Sequence, residues 1–397
     1  MPTVIRSEKA GLVSSPATGK GKNLYYLITI LQILLIIYVY FFVRRVLAFY
    51  GVNVHSWYGM ILPAAPALII IRFAGSIWGT GFMVVIHLVG LSLLADLTAL
   101  IARHAFAGSK ETALYRFGHI LYRCGILPFL VTAIVLSYGY SNMHHIIRTE
   151  YTIKTSKAVS EYSIVLLTDI HYDTIQPKEL LKKTVEEISA MEPDLVILGG
   201  DIVEERTSRE SMEEVFEVLG SIKSRYGIYY VFGNHDRQPY TSNKAFTSQE
   251  LEDAAEAVGI RILRDEWVKI AGELTLAGRD DADWNNTSGR MSAEDLLSGT
   301  DPDTFIIVAD HQPIEYEQCA QNGADLELSG HTHAGQIWPV GLLTELDGSL
   351  NYGLYHKDGI DVIVSSGIAG WGYSIRTEKH CEYVVVHLIP EDGVREG

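Results

Sequence analysis

The chain has 397 residues, a formal net charge of −16 at pH 7 and three cysteines. Cys124, Cys319 and Cys381 show neither CxxC spacing nor an even framework, which argues against a disulfide scaffold and a zinc-thiolate site. Residues 1–150 hold 12 Lys/Arg and 4 Asp/Glu, whereas residues 151–397 hold 20 and 44. A basic apolar part followed by an acidic part predicts a membrane module joined to a soluble domain. The acidity of that domain argues against general nucleic-acid binding.

Four apolar runs within residues 24–140 are predicted to cross a bilayer as helices, after a cytoplasmic tail of residues 1–23. The first run has twenty residues without a charge, about the length of a bilayer core. No small-residue cleavage site follows it, which favours a retained anchor over a cleaved signal peptide. The second run is short and holds two prolines, so three spans is the alternative count. The four runs are Leu24–Val43, Tyr58–Ile71, Ser76–Leu100 and Ile120–Tyr138.

The positive charges around these runs predict the orientation. With four spans, the amino-terminal tail, the 72–75 turn and the stretch after Tyr140 share one side and hold eight Lys/Arg, against five on the other side. Because Lys and Arg accumulate on the cytoplasmic side, the soluble domain is predicted to face the cytoplasm. Asp96 in the third run is predicted to pair with Arg103 near the helix end.

A linker, residues 141–160, is predicted to lead into a domain of residues 161–390. Apolar strand-like runs there alternate with segments of helical spacing, which predicts parallel β-α-β units. After residue 260 the elements shorten, and this predicts a second sheet packed on the first with helices outside. The first strands are predicted at Ser163–Thr168, Leu195–Leu198 and Ile228–Phe232, and the helices at Pro177–Ala190, Glu210–Ile222 and Glu250–Val258.

Five short blocks with carboxylate, amide and imidazole groups follow strand-like runs. Because an open α/β sheet places the residues after its strands on one edge, the blocks are predicted to meet there. Five of the eight histidines after residue 150 lie in them, which favours a metal site over coincidence. The blocks are Asp169-Ile-His171, Gly200-Asp201, Gly233-Asn234-His235-Asp236, His311 and Gly330-His331-Thr332-His333.

The donor types in these blocks predict two divalent metal ions. The first ion is predicted to bind Asp169, His171 and His333, and the second Asn234, His311 and His331. Asp201 has two oxygens and can bridge the ions. Mixed carboxylate and imidazole ligation suits manganese, iron or zinc better than calcium. Two ions about 3.5–4 Å apart can clamp the attacking and leaving oxygens of a phosphoryl displacement.

Four further residues are candidates for roles beside the metals. His235 directly follows a ligand, so its ring points away from the ligand direction and suits either protonating a leaving oxygen or stabilising the charge that develops on the phosphoryl group. Asp236 could orient that ring. Gln336 either contacts substrate or holds its own loop, and the latter is favoured. Arg376 pairs either with a phosphate or with a surface carboxylate.

The blocks resemble the signature DxH, GDxx(D/E), GNH(D/E), H, GHxH of the calcineurin-like metallophosphoesterase superfamily, over roughly residues 160–390. The resemblance implies an α/β fold, a four-layer α/β/β/α sandwich preceded here by a transmembrane helical bundle. It implies phosphoester hydrolysis by a metal-bridged hydroxide, with manganese as the first expectation and iron or zinc as alternatives. The same ligand sets and an acid role for His235 are implied.

The segment Gly330–Pro339 is similar to a membrane-associated branch that includes enzymes similar to UDP-2,3-diacylglucosamine hydrolases. The sequence therefore predicts a membrane-anchored phosphodiesterase or pyrophosphatase for a lipid-linked substrate, with the bilayer as a partner and no nucleic acid. The alternatives are a phosphomonoesterase, including a phosphoprotein phosphatase, and a non-catalytic membrane sensor.

Overall fold

The computed structural model describes residues 19–74, 79–106, 112–282, 289–357 and 359–391. Most of the predicted tail, and the start of the third predicted span, lie outside these residues. The chain divides into two compact units, Met1–Ile134 and Val135–Gly397.

The amino-terminal part is helical, and three of its helices are long and apolar enough to cross a membrane. These are α1, α4 and α6, and many of their apolar side chains are exposed, as a lipid-facing surface requires. The second predicted span is interrupted at Pro63 into two helices that are too short to cross. The structure therefore favours the alternative count of three. The helices are α1 Gly19–Phe49, α2 Trp57–Ile61, α3 Ala64–Ala74, α4 Thr80–Ala105, α5 Ala113–Cys124 and α6 Ile126–Met143.

Asp96 on α4 has partners other than the expected Arg103. Its carboxylate accepts a hydrogen bond from the Tyr38 hydroxyl at 2.8 Å and forms an ion pair with Arg45, both on α1. An acidic group on an apolar helix needs a partner that neutralises its charge, and the neighbouring helix supplies it here.

The second unit contains two six-stranded sheets among the residues described. Their strand orders are β1-β12-β2-β3-β4-β5 and β10-β11-β9-β8-β7-β6. The strands are β1 Ile146–Thr155, β2 Tyr162–Leu167, β3 Leu195–Leu198, β4 Ile228–Tyr230, β5 Ile260–Ile262, β6 Glu266–Ile270, β7 Leu274–Gly278, β8 Phe305–Ala309, β9 Leu326–Ser329, β10 Gly353–Lys357, β11 Ile360–Val364 and β12 Cys381–Pro390.

The predicted linker, residues 141–160, is largely folded. It contains β1, which pairs in parallel with β12 over ten residues. A ten-residue edge strand holds the chain after α6 firmly to the sheet, because alternate residues along it form backbone hydrogen bonds with β12.

Helices cover the outer faces of both sheets and give the four-layer α/β/β/α sandwich that was predicted, so this prediction is confirmed. Along β2, Ile164 and Leu166 face the second sheet, whereas Val165 and Leu167 face the helices. A strand buried on both faces is apolar throughout, which is why it reads as a continuous run. The helices are α7 Lys178–Met191, α8 Arg209–Gly220, α9 Ser248–Ala257, α10 Ala293–Leu297, α11 Tyr316–Gln321 and α12 Val340–Leu346.

The strand directions explain where the five blocks meet. Strands β2, β3, β4 and β5 run parallel in the first sheet, as do β7, β8, β9 and β11 in the second. The blocks follow β2, β3, β4, β8 and β9, so each lies at the carboxyl end of a parallel strand. Both sheets therefore deliver their polar residues to one edge of the sandwich.

Candidate metal centre

Two groups of buried or half-buried side chains at this edge could each hold a metal ion. One is Asp169, His171 and His333, and the other is Asp201, His311 and His331. Within each group the donor atoms all lie within 4.8 Å of one another. All six residues are among the predicted ligands, and Asp201, which was predicted to bridge the two ions, lies in the second group.

The first group has the arrangement expected of a cation site. The Nε2 atoms of His171 and His333 are 3.4 Å apart, and the Nε2 of His333 is 3.5 Å from Oδ1 of Asp169. That Oδ1 atom is buried and has no hydrogen-bond partner among the residues that the structure describes. A buried carboxylate oxygen facing two imidazole nitrogens is stabilised by a shared cation, so these residues fit a metal ion.

The second group gathers around His311. Its Nε2 atom is 3.2 Å from Oδ1 of Asn234 and 3.2 Å from Nδ1 of His331. Oδ2 of Asp201 lies 3.3 Å from that same Nε2 and 3.8 Å from Nε2 of His171. A single carboxylate thus reaches both groups, as a bridging ligand must.

The backbone around the ligands is strained. Five of the seven predicted ligands have a left-handed backbone, a conformation that non-glycine residues seldom adopt. Such residues cost on the order of 1–3 kcal/mol each and persist where the surrounding structure holds them. The five φ values are 53° for Asp169, 43° for His171, 53° for Asp201, 68° for His331 and 49° for His333.

Backbone carbonyls orient two of the imidazoles. Nδ1 of His311 lies 2.8 Å from the Gly199 carbonyl, and Nδ1 of His333 lies 3.2 Å from the Ala369 carbonyl. Each bond occupies Nδ1 and leaves Nε2 for the site, which is how proteins usually fix a metal-binding histidine.

Asp236 does not orient His235, so that expectation is wrong. Its carboxylate accepts four backbone N–H groups and so fixes the turn that carries Asp201 against the turn after β4. Asp236 supports the bridging ligand and leaves the His235 ring to another partner. The four donors are Gly233 at 2.6 Å, Ile202 at 2.8 Å, Asp201 at 2.9 Å and Val203 at 3.1 Å.

The electrostatics of three of the four ligand imidazoles suit metal ligation, whereas for His311 the Asp201 carboxylate outweighs burial and holds the pKa well above its usual range. Burial holds the pKa of His171 well below its usual range, lowers that of His333 and lowers that of His331 to about 3. Burial raises the pKa of Asp201, but the neighbouring imidazoles outweigh it and hold that pKa well below the usual range. Neutral imidazoles and an ionised carboxylate are the forms that bind metal ions.

His235 has surroundings that the sequence did not reveal. Its Nδ1 atom is 2.8 Å from Oε2 of Glu205, and its ring centroid is 5.4 Å from that of His171. Trp371 and Tyr240 each lie 5.1 Å from it, centroid to centroid. Burial lowers the pKa of His235, yet the carboxylates of Asp201 and Glu205 outweigh it and raise the pKa to about 9.

The three side chains around the His235 ring had only weak signals in the sequence. Glu205 follows Asp201 by four residues, Tyr240 follows His235 by five, and Trp371 stands in a glycine-rich stretch. Spacing alone does not show which side chain turns toward the imidazole.

Gln336 and Arg376 hold loops and do not face a substrate. The buried Gln336 amide donates to the carbonyls of Tyr373 and Ile375 and accepts the Trp371 N–H, so it holds its own loop. The fully buried Arg376 guanidinium donates to three backbone carbonyls, so both the phosphate and the surface ion pair expected of it are wrong. Its acceptors are His333 at 2.7 Å, Ser366 at 2.9 Å and Ala369 at 2.9 Å.

The chain is similar to known metallophosphoesterases. Residues 162–335 match the family model described as calcineurin-like phosphoesterase. An uncharacterized metallophosphoesterase of Helicobacter pylori is 32% identical over 248 residues, which cover 61% of this chain and 64% of the relative. A Danio rerio relative named transmembrane protein with metallophosphoesterase domain is 29% identical over 283 residues, or 67% of this chain and 63% of the relative. The chain thus spans just under two thirds of each relative's length.

Three observations agree with one another: the order of the blocks, their convergence at one edge of a four-layer sandwich, and the family match. Residues 162–335 of the second unit therefore match a calcineurin-like phosphoesterase domain.

Proposed function

We propose that the protein is a membrane-anchored phosphoesterase that hydrolyses a phosphodiester or pyrophosphate bond of a lipid-linked substrate at the surface of the bilayer. The observation that carries the proposal is the pair of metal-binding groups that share Asp201, together with His235 beside them. The name of the Danio rerio relative, which joins a transmembrane protein to the same domain, supports the membrane part.

Seven side chains would hold two divalent ions, with manganese as the first choice. Asp169, His171 and His333 would bind one ion, and Asn234, His311 and His331 the other, with Asp201 between them. Two such ions, when bound, neutralise the charge of a phosphoryl group and lower the pKa of water.

The protein's own contribution to bond cleavage centres on His235. Glu205 occupies its Nδ1 atom, so Nε2 is the nitrogen left to face a substrate. An imidazole that keeps its proton at neutral pH can give it to the departing oxygen, which would otherwise leave as a poor alkoxide. Asp201 and Glu205 keep the ring protonated, and Glu205 also holds it in place and so acts as a positioning residue.

The first experiment measures hydrolysis by the full chain in detergent, loaded with manganese. The substrates are a phosphomonoester, a soluble phosphodiester and a lipid-linked pyrophosphate. We expect turnover of the latter two, and a loss of about 10²–10⁴-fold in His235→Ala, as for removal of a general acid. His356→Ala, on an exposed strand away from the centre, is the matched control and should keep full activity.

Three results would contradict the proposal in different ways. Preference for the monoester would make the protein a phosphomonoesterase. Equal turnover in His235→Ala and the parent would remove the acid role. Two bound metals without turnover of any substrate would favour the sensor.

A further inference from the structure

An exposed apolar patch stands beside the metal centre. It is formed by α12 and the tryptophan just before it, and we call it the α12 patch. Leu346 is 75% exposed, Trp338 65% and Leu343 59%. Large apolar side chains grouped on one short helix mark a surface that contacts another apolar body. The members of the patch are Trp338, Val340, Leu342, Leu343 and Leu346.

The patch is fixed to the segment of residues 375–379. The backbone N–H of Trp338 donates to Oγ1 of Thr377 at 3.0 Å, and that of Gly341 donates to Oε2 of Glu378 at 2.9 Å. Gly341 is the buried residue of α12. The helix therefore rests on this segment and turns its leucines outward.

The same segment holds the end of the apolar helix α6. The N–H of Arg376 donates to the Gly139 carbonyl at 2.9 Å. The side-chain amide of Asn142 donates to the carbonyls of Arg376 at 3.1 Å and Lys379 at 2.6 Å. Tyr138 and Tyr140 on this end of α6 are more than half exposed, as aromatic side chains are at a membrane–water interface.

The segment also reaches the metal centre. Arg376 donates to the carbonyl of His333, one of the predicted metal ligands. The α12 patch, the end of α6 and a predicted ligand are thus joined through a single residue and its neighbours. Their relative positions are fixed by hydrogen bonds within one compact unit.

We propose that the α12 patch inserts into the interfacial layer of the bilayer that α6 crosses, and so holds the metal centre against the lipid headgroups. The inference rests on the proposed function and specifies where its substrate is met. Helix α6 is long and apolar enough to cross a membrane, so its end brings the patch to the lipid surface. A stable dimer needs about 800 Å² from each partner, more than one seven-residue helix offers.

The test measures how deeply α12 lies in lipid, using the full chain in liposomes. Cys124 is replaced by serine and the other two cysteines are buried, so a single environment-sensitive fluorophore can be placed at Leu343→Cys. The matched controls are Glu345→Cys on the same helix and Glu256→Cys on α9, both exposed. We expect blue-shifted emission from Leu343→Cys and several-fold stronger quenching by nitroxide-labelled lipid than in Glu256→Cys, with Glu345→Cys between them.

Two outcomes of this measurement would overturn the inference. Quenching of Leu343→Cys by aqueous iodide, without an effect of nitroxide lipid, would show that the patch lies in water. Protection from both quenchers would show that protein covers it, either the same chain or a second copy. Neither readout requires turnover, so a failed docking surface is distinguishable from a failed enzyme.

A second variant tests the consequence for hydrolysis. In Leu343→Ser/Leu346→Ser we expect the ratio of lipid-embedded to soluble diester turnover to fall about tenfold, since two apolar contacts with lipid are lost. Thr344→Ser, a small change on the same helix, should keep the parent ratio. An unchanged ratio in the double variant would remove the role of the patch in substrate access.

Discussion

At the scale of single residues, the site depends on partners that lie outside the five blocks. His235 is the proposed acid, and its protonation depends both on Asp201 and on a carboxylate that the motif does not contain. Glu205 accepts its Nδ1 proton, and Asp201 accepts its backbone N–H at 2.8 Å. The acid and the bridging carboxylate are therefore coupled, and a change at one alters the proton affinity of the other.

Replacing Glu205 by glutamine tests this coupling. The carboxylate raises the pKa of His235, so its removal lowers that pKa, and the acid loses its proton at a lower pH. We expect the alkaline limb of the kcat/KM profile to move down by about one pH unit, the usual effect of one adjacent charge. Glu217→Gln on the exposed side of α8 removes the same charge elsewhere and should leave the profile in place. If the alkaline limb of the kcat/KM profile does not move in Glu205→Gln, a group other than His235 determines it.

At the scale of elements, the packing of α6 against residues 375–379 is unusually close. A Cβ added at Gly139 would lie 2.7 Å from Cγ2 of Ile375 and 3.0 Å from Cγ2 of Thr377. Glycine allows the helix to approach the segment that carries Arg376. A larger residue must push the two elements apart.

Gly139→Ala should therefore disturb the metal centre from a distance. Overpacking of this kind costs about 1–3 kcal/mol of unfolding free energy. Because Arg376 holds the His333 carbonyl, we expect weaker manganese binding as well, measured by titration calorimetry on the full chain. Gly90→Ala on α4 is the matched control, since its added Cβ meets nothing within 4 Å. Equal manganese affinity in the two variants would show that α6 does not support the ligand.

At the scale of the whole molecule, the buried imidazoles make the fold sensitive to acid. The pKa values of His171, His331 and His333 are lowered in the folded state, mainly by burial, whereas an unfolded histidine has a pKa of about 6.5. Below that pH these three histidines bind protons in the unfolded chain but stay neutral in the folded protein, which lowers the free energy of unfolding. The raised pKa values of His235 and His311 act in the opposite direction, because the stability that they contribute is lost as the pH rises above about 6.5.

We therefore expect the free energy of unfolding of the metal-free protein to fall as the pH falls from about 6.5 toward 3. The decrease is up to about 1.4 kcal/mol per pH unit for each imidazole that stays neutral in the folded state. Urea unfolding followed by tryptophan fluorescence in the presence of a chelator measures this loss. His331→Gln should reduce the slope, whereas His356→Ala at an exposed position should not. A slope that is identical in His331→Gln and the parent would show that burial of this imidazole does not control acid stability.

Much of the second unit could be predicted because its strands are buried on both faces. The runs at Leu195–Leu198 and around Ile164 are apolar throughout and stand before the metal-binding blocks. The edge strand β1 was missed because its outward residues are polar, as in Arg148 and Lys154, and it pairs with a strand more than two hundred residues away. Nothing local marks such a pairing.

The sequence by itself determined the fold class and the presence of long apolar helices, and it predicted a ligand set. Those features depend on residue type and on spacing along one strand or helix, both of which are local. The tertiary structure decided which side chains hold the site residues in place. Glu205, and not Asp236, contacts the His235 ring, and Arg376 donates to the His333 carbonyl instead of contacting a phosphate. It also decided that the end of α6 packs against residues 375–379, the segment that contains Arg376. These contacts join residues far apart in the chain, so only the folded packing brings them together.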